Sequence, residues 1–421
     1  MADTQFASPV TAQVTATQSV APSHRSGRAL DALSLFLAAL LAGYGPRAIL
    51  YLVELGWGPA EIGFVLSASG VSAALTQVVA GDLIDTLRSK RFLLVSAATV
   101  VALTLLFLGF HAKFAQVLTA AILLGAFAGV LGIALRAISL GLVGCPALSE
   151  RLGRNERYAA LGGLVSGGAL GIFSGIVSAR AGFVVAAALL VPIIMALARV
   201  DPREIHYCRA CGAPTADPIR PDRIRRVILI SDRPLLIFAV CLFLFQLANA
   251  PILPLVVESL PHAGVRWPTV FLSALVVLQQ TLVFIFAPWT GRTAQGWGRR
   301  PLLLIAFGVV SIRSVILGWT PGAASLVAIQ AFSGLASVIL GVVTTLVVAD
   351  IAYGTGRFSL AQGLVATSSA FGAALSTSIS GLIVEIYGRS VETIMLTIAG
   401  LFATAVYWSF MPETNLREAA N

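Results

Sequence analysis

In a chain of 421 residues, 57% are hydrophobic and only 11% charged, and the mean hydropathy is +0.91. Soluble domains carry about 25% charged residues, so this composition excludes an ordinary soluble enzyme or binding module and describes a chain that crosses a lipid bilayer many times. The formal charge of +9 would suggest nucleic acid in a soluble chain, but the arginines fall in alternate loops rather than on one patch, which excludes that partner.

Residues 1–28 are rich in Ala, Thr, Ser, Pro and Val without an apolar segment, so they read as a disordered tail and neither as a signal peptide nor as a span. A bilayer core needs about 20 apolar residues per helix, and twelve such stretches follow. The first six are expected at Leu30–Glu54, Glu61–Ile84, Phe92–Phe110, Phe114–Val143, Tyr158–Val177 and Gly182–Ala198. The second six are expected at Pro234–Val257, Pro268–Trp289, Pro301–Gly318, Ala324–Ala349, Leu360–Val384 and Thr393–Phe410. The organisation expected is therefore a tail (1–28), an all-α half of six helices (29–198), a basic linker (199–233), a second six-helix half (234–410) and a short tail (411–421).

Short loops on one side carry Arg88, Lys90 and Arg91, then Arg151, Arg154 and Arg157, then Arg292, Arg299 and Arg300, then Arg357. The opposite loops offer only Lys113, Arg180, Arg266 and Arg389, so the linker and both termini are expected in the cytoplasm of a bacterial cell, the chain lying in its inner, plasma membrane. On that side none of Cys145, Cys208, Cys211 and Cys241 meets an oxidising compartment, and no disulfide is expected. Cys208-Arg-Ala-Cys211 with His206 offers three zinc ligands where a structural site needs four, so no metal is expected. No nucleotide-binding or nucleophile motif is present, and neither a cofactor nor enzymatic activity is expected.

The strongest pattern is a repeat. Gly81–Arg91 reads GDLIDTLRSKR and Gly291–Arg300 reads GRTAQGWGRR, each between two long apolar stretches, at a constant offset of 210 residues. Other segments echo at similar offsets: Tyr51-Leu-Val-Glu54 with Leu255-Val-Val-Glu258, and Tyr158–Val165 with Phe358–Val365, where a longer loop before the fifth span is expected to absorb the difference. The repeated motif resembles the loop between helices two and three of the major facilitator superfamily, G-x-L-A-D-R-x-G-R-K or R. The first copy keeps Gly81, Leu83, Asp85 and Lys90 but has Thr86 and Arg88 where the pattern has Arg and Gly. The second keeps Gly291, Ala294, Gly298, Arg299 and Arg300 but has Gln295 in place of the Asp. The resemblance implies twelve helices in two pseudo-symmetric halves, with helices one, four, seven and ten around a central cavity. It also implies secondary transport of a small molecule by a monomer, with Gly81, Asp85, Arg88, Lys90, Gly291, Gly298, Arg299 and Arg300 forming the loops that switch conformation.

Polar residues inside spans are the candidate ligands of a solute. Arg47 follows the Gly-Pro break of the first span; the alternative is that it snorkels outward or pairs with Glu54. Arg136 lies about two turns from the inner end of the fourth span. Gln246 and Asn249 share one side of the seventh, beside Pro251 and Pro254, as cavity ligands or as glue between helices. Gln279 and Gln280 are adjacent, so they point apart; one can reach the cavity while the other bonds a neighbour. Arg313, on the ninth span, is expected to pair structurally. Gly163, Gly167, Gly171 and Gly175 recur every fourth residue as a packing stripe.

No Asp or Glu is expected in the middle of any span, and the four histidines lie in loops or tails. Buried arginines without buried acids imply a positive cavity, hence an organic anion or an amphipathic compound as solute. A multidrug/proton antiporter, coupled to protons or another ion, is the alternative, and a membrane receptor that binds without transporting is a third reading.

Overall fold

The computed structural model describes residues 23–42, 52, 56, 57, 59–87, 89–110, 113–166, 179–212, 232–259, 268–319 and 322–414. These residues form helices α1 (His24–Ala42), α2 (Pro59–Thr86), α3 (Lys90–Phe110), α4 (Phe114–Val165), α5 (Ala179–Ala188), α6 (Leu190–Ala198) and α7 (Tyr207–Ala210). The second half contributes α8 (Arg233–Asn249), α9 (Ile252–Ser259), α10 (Pro268–Gly296), α11 (Arg300–Trp319), α12 (Ala323–Ile351), α13 (Phe358–Tyr387) and α14 (Arg389–Phe410). No strand occurs among the described residues.

Among the described residues, ten helical segments are long and apolar enough to cross a membrane. Water is absent from a bilayer core, so helices, whose backbone bonds close internally, are what such sequence can form there. Hydroxyls in the spans follow the same rule: Ser34 donates to the Leu30 carbonyl at 2.9 Å and Thr104 to Val100 at 2.7 Å. Large apolar side chains point outward all along the helices, among them Val79, Phe92, Ile386 and Trp408, as lipid-facing surfaces require.

Helix α4 departs from expectation. It runs 52 residues, about 78 Å if straight, enough to cross twice. The chain reverses at Gly144, whose φ of 69° and ψ of 173° lie where an L side chain is strained, and Pro146 follows where a missing N–H costs little. The fourth and fifth spans are thus one continuous element with a break. The longer loop expected before the fifth span is absent, and Arg151, Glu156 and Arg157 are helical.

Within the first half α4 packs against α1, α2 and α3; within the second, α12 packs against α10 and α11. Two pairs make the main joints between the halves, α2 with α13 and α4 with α10, and α4 also meets α12 and α13. Glycines make both joints backbone-close. A Cβ on Gly81 would meet the Ser359 carbonyl oxygen at 2.2 Å, and one on Gly363 would meet that of Gln77 at 2.3 Å. Gly153 and Gly291 do the same for α4 and α10, where either Cβ would come within 2.6 Å of a facing carbonyl oxygen, Ala287 for the one and Ser149 for the other. Gly363 was not singled out from the sequence.

Candidate functional site

Two features stand out between the halves: a closed joint on the side of the linker, and a cavity farther in.

The joint is built on the two motif copies. Asp85 is buried at the end of α2, and its carboxylate accepts hydrogen bonds from the backbone N–H groups of Ser359 (3.1 Å) and Leu360 (2.8 Å). These are free donors of the first turn of α13, where the helix dipole also favours negative charge. Asp82 adds an ion pair to Arg357 at 3.0 Å, just before α13 begins. The second copy faces α4 differently. There Gln295 donates from Nε2 to the Pro146 carbonyl at 3.1 Å. The Asp/Gln asymmetry of the motifs therefore has a chemical reason: one side chain meets backbone donors, the other an acceptor beside a proline that has no N–H to give.

The basic residues of the copies brace their own halves. Lys90 Nζ donates to the Ile84 carbonyl at 2.7 Å and to Cys211 Sγ at 3.4 Å. Arg299 pairs with Asp350 at 3.0 Å and donates to the Ala294 carbonyl. Gly298, with φ of 88°, leaves room for the Glu413 carboxylate, which accepts from the Arg299 and Arg300 backbone N–H groups at 2.9 and 3.0 Å. Arg88 lies outside the described residues.

The cavity holds about 190 Å³ and is lined from both halves, by Ala38 of α1, Glu156 and Gly163 of α4, Gln280 of α10 and Ser337 of α12. Glu156 corrects the expectation of spans free of carboxylates: it sits inside the long helix and lines the cavity. Its carboxyl group is seated on Gly341 of α12, where a Cβ would come within 2.8 Å of Glu156 Cδ. The cation acting on it is Arg136, also of α4 and half-buried. Three arginines around Glu156 concealed it in the sequence. Two of them, Arg151 and Arg154, converge on buried Asp31 of α1 at 2.5 and 2.6 Å, and Arg157 lies over the Phe284 ring at 4.5 Å.

The other candidates divide. Gln280 lines the cavity and packs where Gly163 has no side chain, its Nε2 being 2.6 Å from where a Cβ would stand. Gln279 is not among the lining residues; it accepts from Gln330 at 2.6 Å and donates to the Oγ of cavity-lining Ser337 at 3.3 Å. Gln246 and Asn249 are not among the lining residues. Asn249 donates to Gln246 at 3.0 Å and accepts from Arg313 at 2.7 Å, a network that holds α8 to α11. Arg47, Gly167, Gly171 and Gly175 lie outside the described residues. The tight approach to α1 is made by Gly162, whose Cβ would meet the Leu35 carbonyl oxygen at 2.1 Å.

Comparison with known proteins agrees with this architecture. The family model of the Major Facilitator Superfamily matches residues 32–277. Uncharacterized MFS-type transporters from two strains of Mycobacterium tuberculosis, CDC 1551 / Oshkosh and ATCC 25618 / H37Rv, are each 32% identical over 398 residues, covering 94% of this chain and 95% of theirs. The chain belongs to the major facilitator superfamily. It is a multi-pass membrane transporter. Among solved structures, the human organic anion transporter MFSD10 (TETRAN) superposes with a TM-score of 0.68 at 16% identity, covering 91% of this chain and 99% of that one. The proton:xylose symporter XylE does so with 0.71 at 14%, covering 94% and 99%. At those identities the likeness is one of fold.

Proposed function

We propose that this superfamily member is a secondary transporter that moves a small organic anion by alternating access, binding it in the cavity between the halves. The observation that carries the reading is a cavity bounded by both halves and closed on the linker side, into which Glu156 brings a carboxyl group that feels the charge of Arg136 from the same helix, although Arg136 itself is not among the lining residues. With the linker and termini in the cytoplasm, as the arginine distribution indicates, the closed joint is the cytoplasmic gate. At about 190 Å³ the cavity lies below the roughly 300–1,000 Å³ of drug-sized sites, so the solute is small or the cavity widens to admit it. Arginine offers a planar donor fork suited to a carboxylate or phosphate.

Glu156 refines the chemistry. Arg136 serves one negative charge at a time, so the solute's anionic group and an ionised Glu156 compete for it, and a proton taken up by Glu156 frees the guanidinium for the solute. The same carboxylate favours a second reading, proton-coupled efflux of an amphipathic compound. Counterflow into proteoliposomes separates them, using a panel of anionic, neutral and cationic solutes with and without a pH gradient. The expected result is anion counterflow that Arg136→Gln abolishes, whereas Glu156→Gln keeps exchange but no longer responds to the gradient. Transport of cations alone by the parent protein would reject the anion and leave efflux.

A further inference from the structure

The linker does more than connect the halves. Its residues 199–212 are docked under the closed joint and carry the short helix α7. On the first half, the His206 N–H donates to the Gly141 carbonyl at 3.2 Å, and the Tyr207 hydroxyl donates to the Asp85 carbonyl at 2.6 Å. Lys90 Nζ stands 5.1 Å from the Tyr207 ring centre and reaches Cys211 Sγ. On the second half, the Cys211 carbonyl accepts from Phe358 N–H at 3.1 Å, and the Gly212 carbonyl accepts from Gly354 N–H at 2.7 Å. Ala210 and Cys211 are fully buried, and a Cβ on Gly141 would stand 2.8 Å from the Ala210 methyl carbon. Gly212 turns the chain with φ of 79° directly beneath the Ala352 carbonyl.

We propose that Tyr207–Gly212 is a built-in clasp, gripping Asp85 and Lys90 of one half and Gly354 and Phe358 of the other, which must let go of one half whenever the linker-side gate opens. The residues it grips are those of the gate itself: the Asp85 carbonyl takes the Tyr207 hydroxyl while the Asp85 carboxylate takes Ser359 and Leu360. Phe358, held by Cys211, is the first residue of the helix that those two amides begin. Separation of α2 from α13 pulls the two groups of clasp partners apart. Buried Cys211, the second cysteine of the Cys208-Arg-Ala-Cys211 pair, thereby becomes accessible only when the gate parts.

The clasp is read by alkylation, with no need for a known solute. In the purified full chain with Cys145, Cys208 and Cys241 replaced by serine, N-ethylmaleimide should modify Cys211 far more slowly than in denatured protein. Tyr207→Phe removes one neutral hydrogen bond, worth about a two- to tenfold shift, and should speed alkylation by that factor. Arg357→Gln, which touches the gate and leaves Tyr207–Gly212 intact, should speed it as well. In return, Tyr207→Phe should raise amide exchange at Ser359 and Leu360, which it does not contact, because coupling between two sites is reciprocal. A Cys211 that reacts in the parent as fast as in denatured protein would overturn the docking. Faster alkylation in Tyr207→Phe with unchanged exchange at Ser359 and Leu360 would overturn the link to the gate.

Discussion

Gly81→Ala is the most direct probe of the joint between the halves. The added methyl would stand 2.2 Å from the Ser359 carbonyl oxygen, 2.8 Å from its carbonyl carbon and 2.9 Å from Leu360 Cα, all of it backbone that cannot rotate aside. Relief to ordinary contact requires α2 and α13 to part by about 1 Å, since heavy atoms attract best at about 3.5–4 Å. Asp85 lies one turn further on the same face, and its bonds of 3.1 and 2.8 Å to Ser359 and Leu360 would stretch out of range. A hydrogen bond to a charged group contributes about 1.5–3 kcal/mol, so the pair is worth about 3–6 kcal/mol at most, because water replaces the protein donors once the joint opens. Even 1.4 kcal/mol is tenfold in the opening equilibrium. Hydrogen–deuterium exchange resolved to the start of α13 should show the Ser359 and Leu360 amides exchanging at least about tenfold faster in the variant. Gly70→Ala is the control: it lies on the same helix with nothing within 4 Å, and alanine there should stabilise α2 by up to about 1 kcal/mol. Unchanged protection at Ser359 and Leu360 in Gly81→Ala, or equal loss in both variants, would refute the contact as the origin of closure.

Asp31→Asn should lower the thermal midpoint sharply, since it strands buried Arg151 beside a neutral amide and breaking a buried pair costs about 3–5 kcal/mol; a midpoint equal to the parent's would contradict the pairing. Gly341→Ala should displace the Glu156 carboxylate and change the response of counterflow to a pH gradient, while exchange at Ser359 and Leu360 stays at the parent level. The clasp should also loosen in alkali. Burial pushes the Cys211 thiol above the ordinary value of 9.0 against the opposing ammonium of Lys90, so the docked segment prefers the neutral thiol. A raised value means that this stabilisation is complete below about pH 9 and fades as the pH climbs past it. The thermal midpoint of the parent should therefore fall more steeply as the pH rises above about 9 than that of Cys211→Ala, and parallel curves would exclude the thiol as the titrating group.

What the sequence disclosed and what it hid follow from where each feature is encoded. The motif copies are local: glycine, a small helix-ending polar residue and a basic pair within about ten positions mark a tight turn, and their repetition places the halves. The chemistry that Asp85 meets is not local, because it depends on Ser359 and Leu360, 274 and 275 residues away. Glu156 was hidden by its neighbours. Arg151, Glu156 and Arg157 look like a solvated loop unless Asp31, 120 residues earlier, is known to neutralise Arg151 and Phe284 to receive Arg157. The linker hid its clasp for a related reason, since six residues are too few to show a period, and only Tyr207 and the two cysteines, types that favour burial, stood out from its polar surroundings.

The energetics of the closed joint complete the argument for a gate rather than a permanent interface. Arg357 is almost wholly buried, yet among the described residues only its Nη1 is bonded, to Asp82, while Nε and Nη2 have no partner. A buried guanidinium with two idle nitrogens pays a desolvation cost that its single ion pair does not cancel. Opening returns it to water, which offsets part of the loss of the Asp85 bonds. The two terms oppose each other within a few residues of the same helix start, which narrows the gap between closed and open. Replacing Arg357 by methionine, which keeps much of the buried volume and removes the charge, should therefore tighten the gate and slow exchange at Ser359 and Leu360, whereas Arg357→Gln, which keeps a buried polar group without the ion pair, should loosen it. Faster exchange in the methionine variant would show that the Asp82 pair outweighs the desolvation and that the joint is held by charge after all.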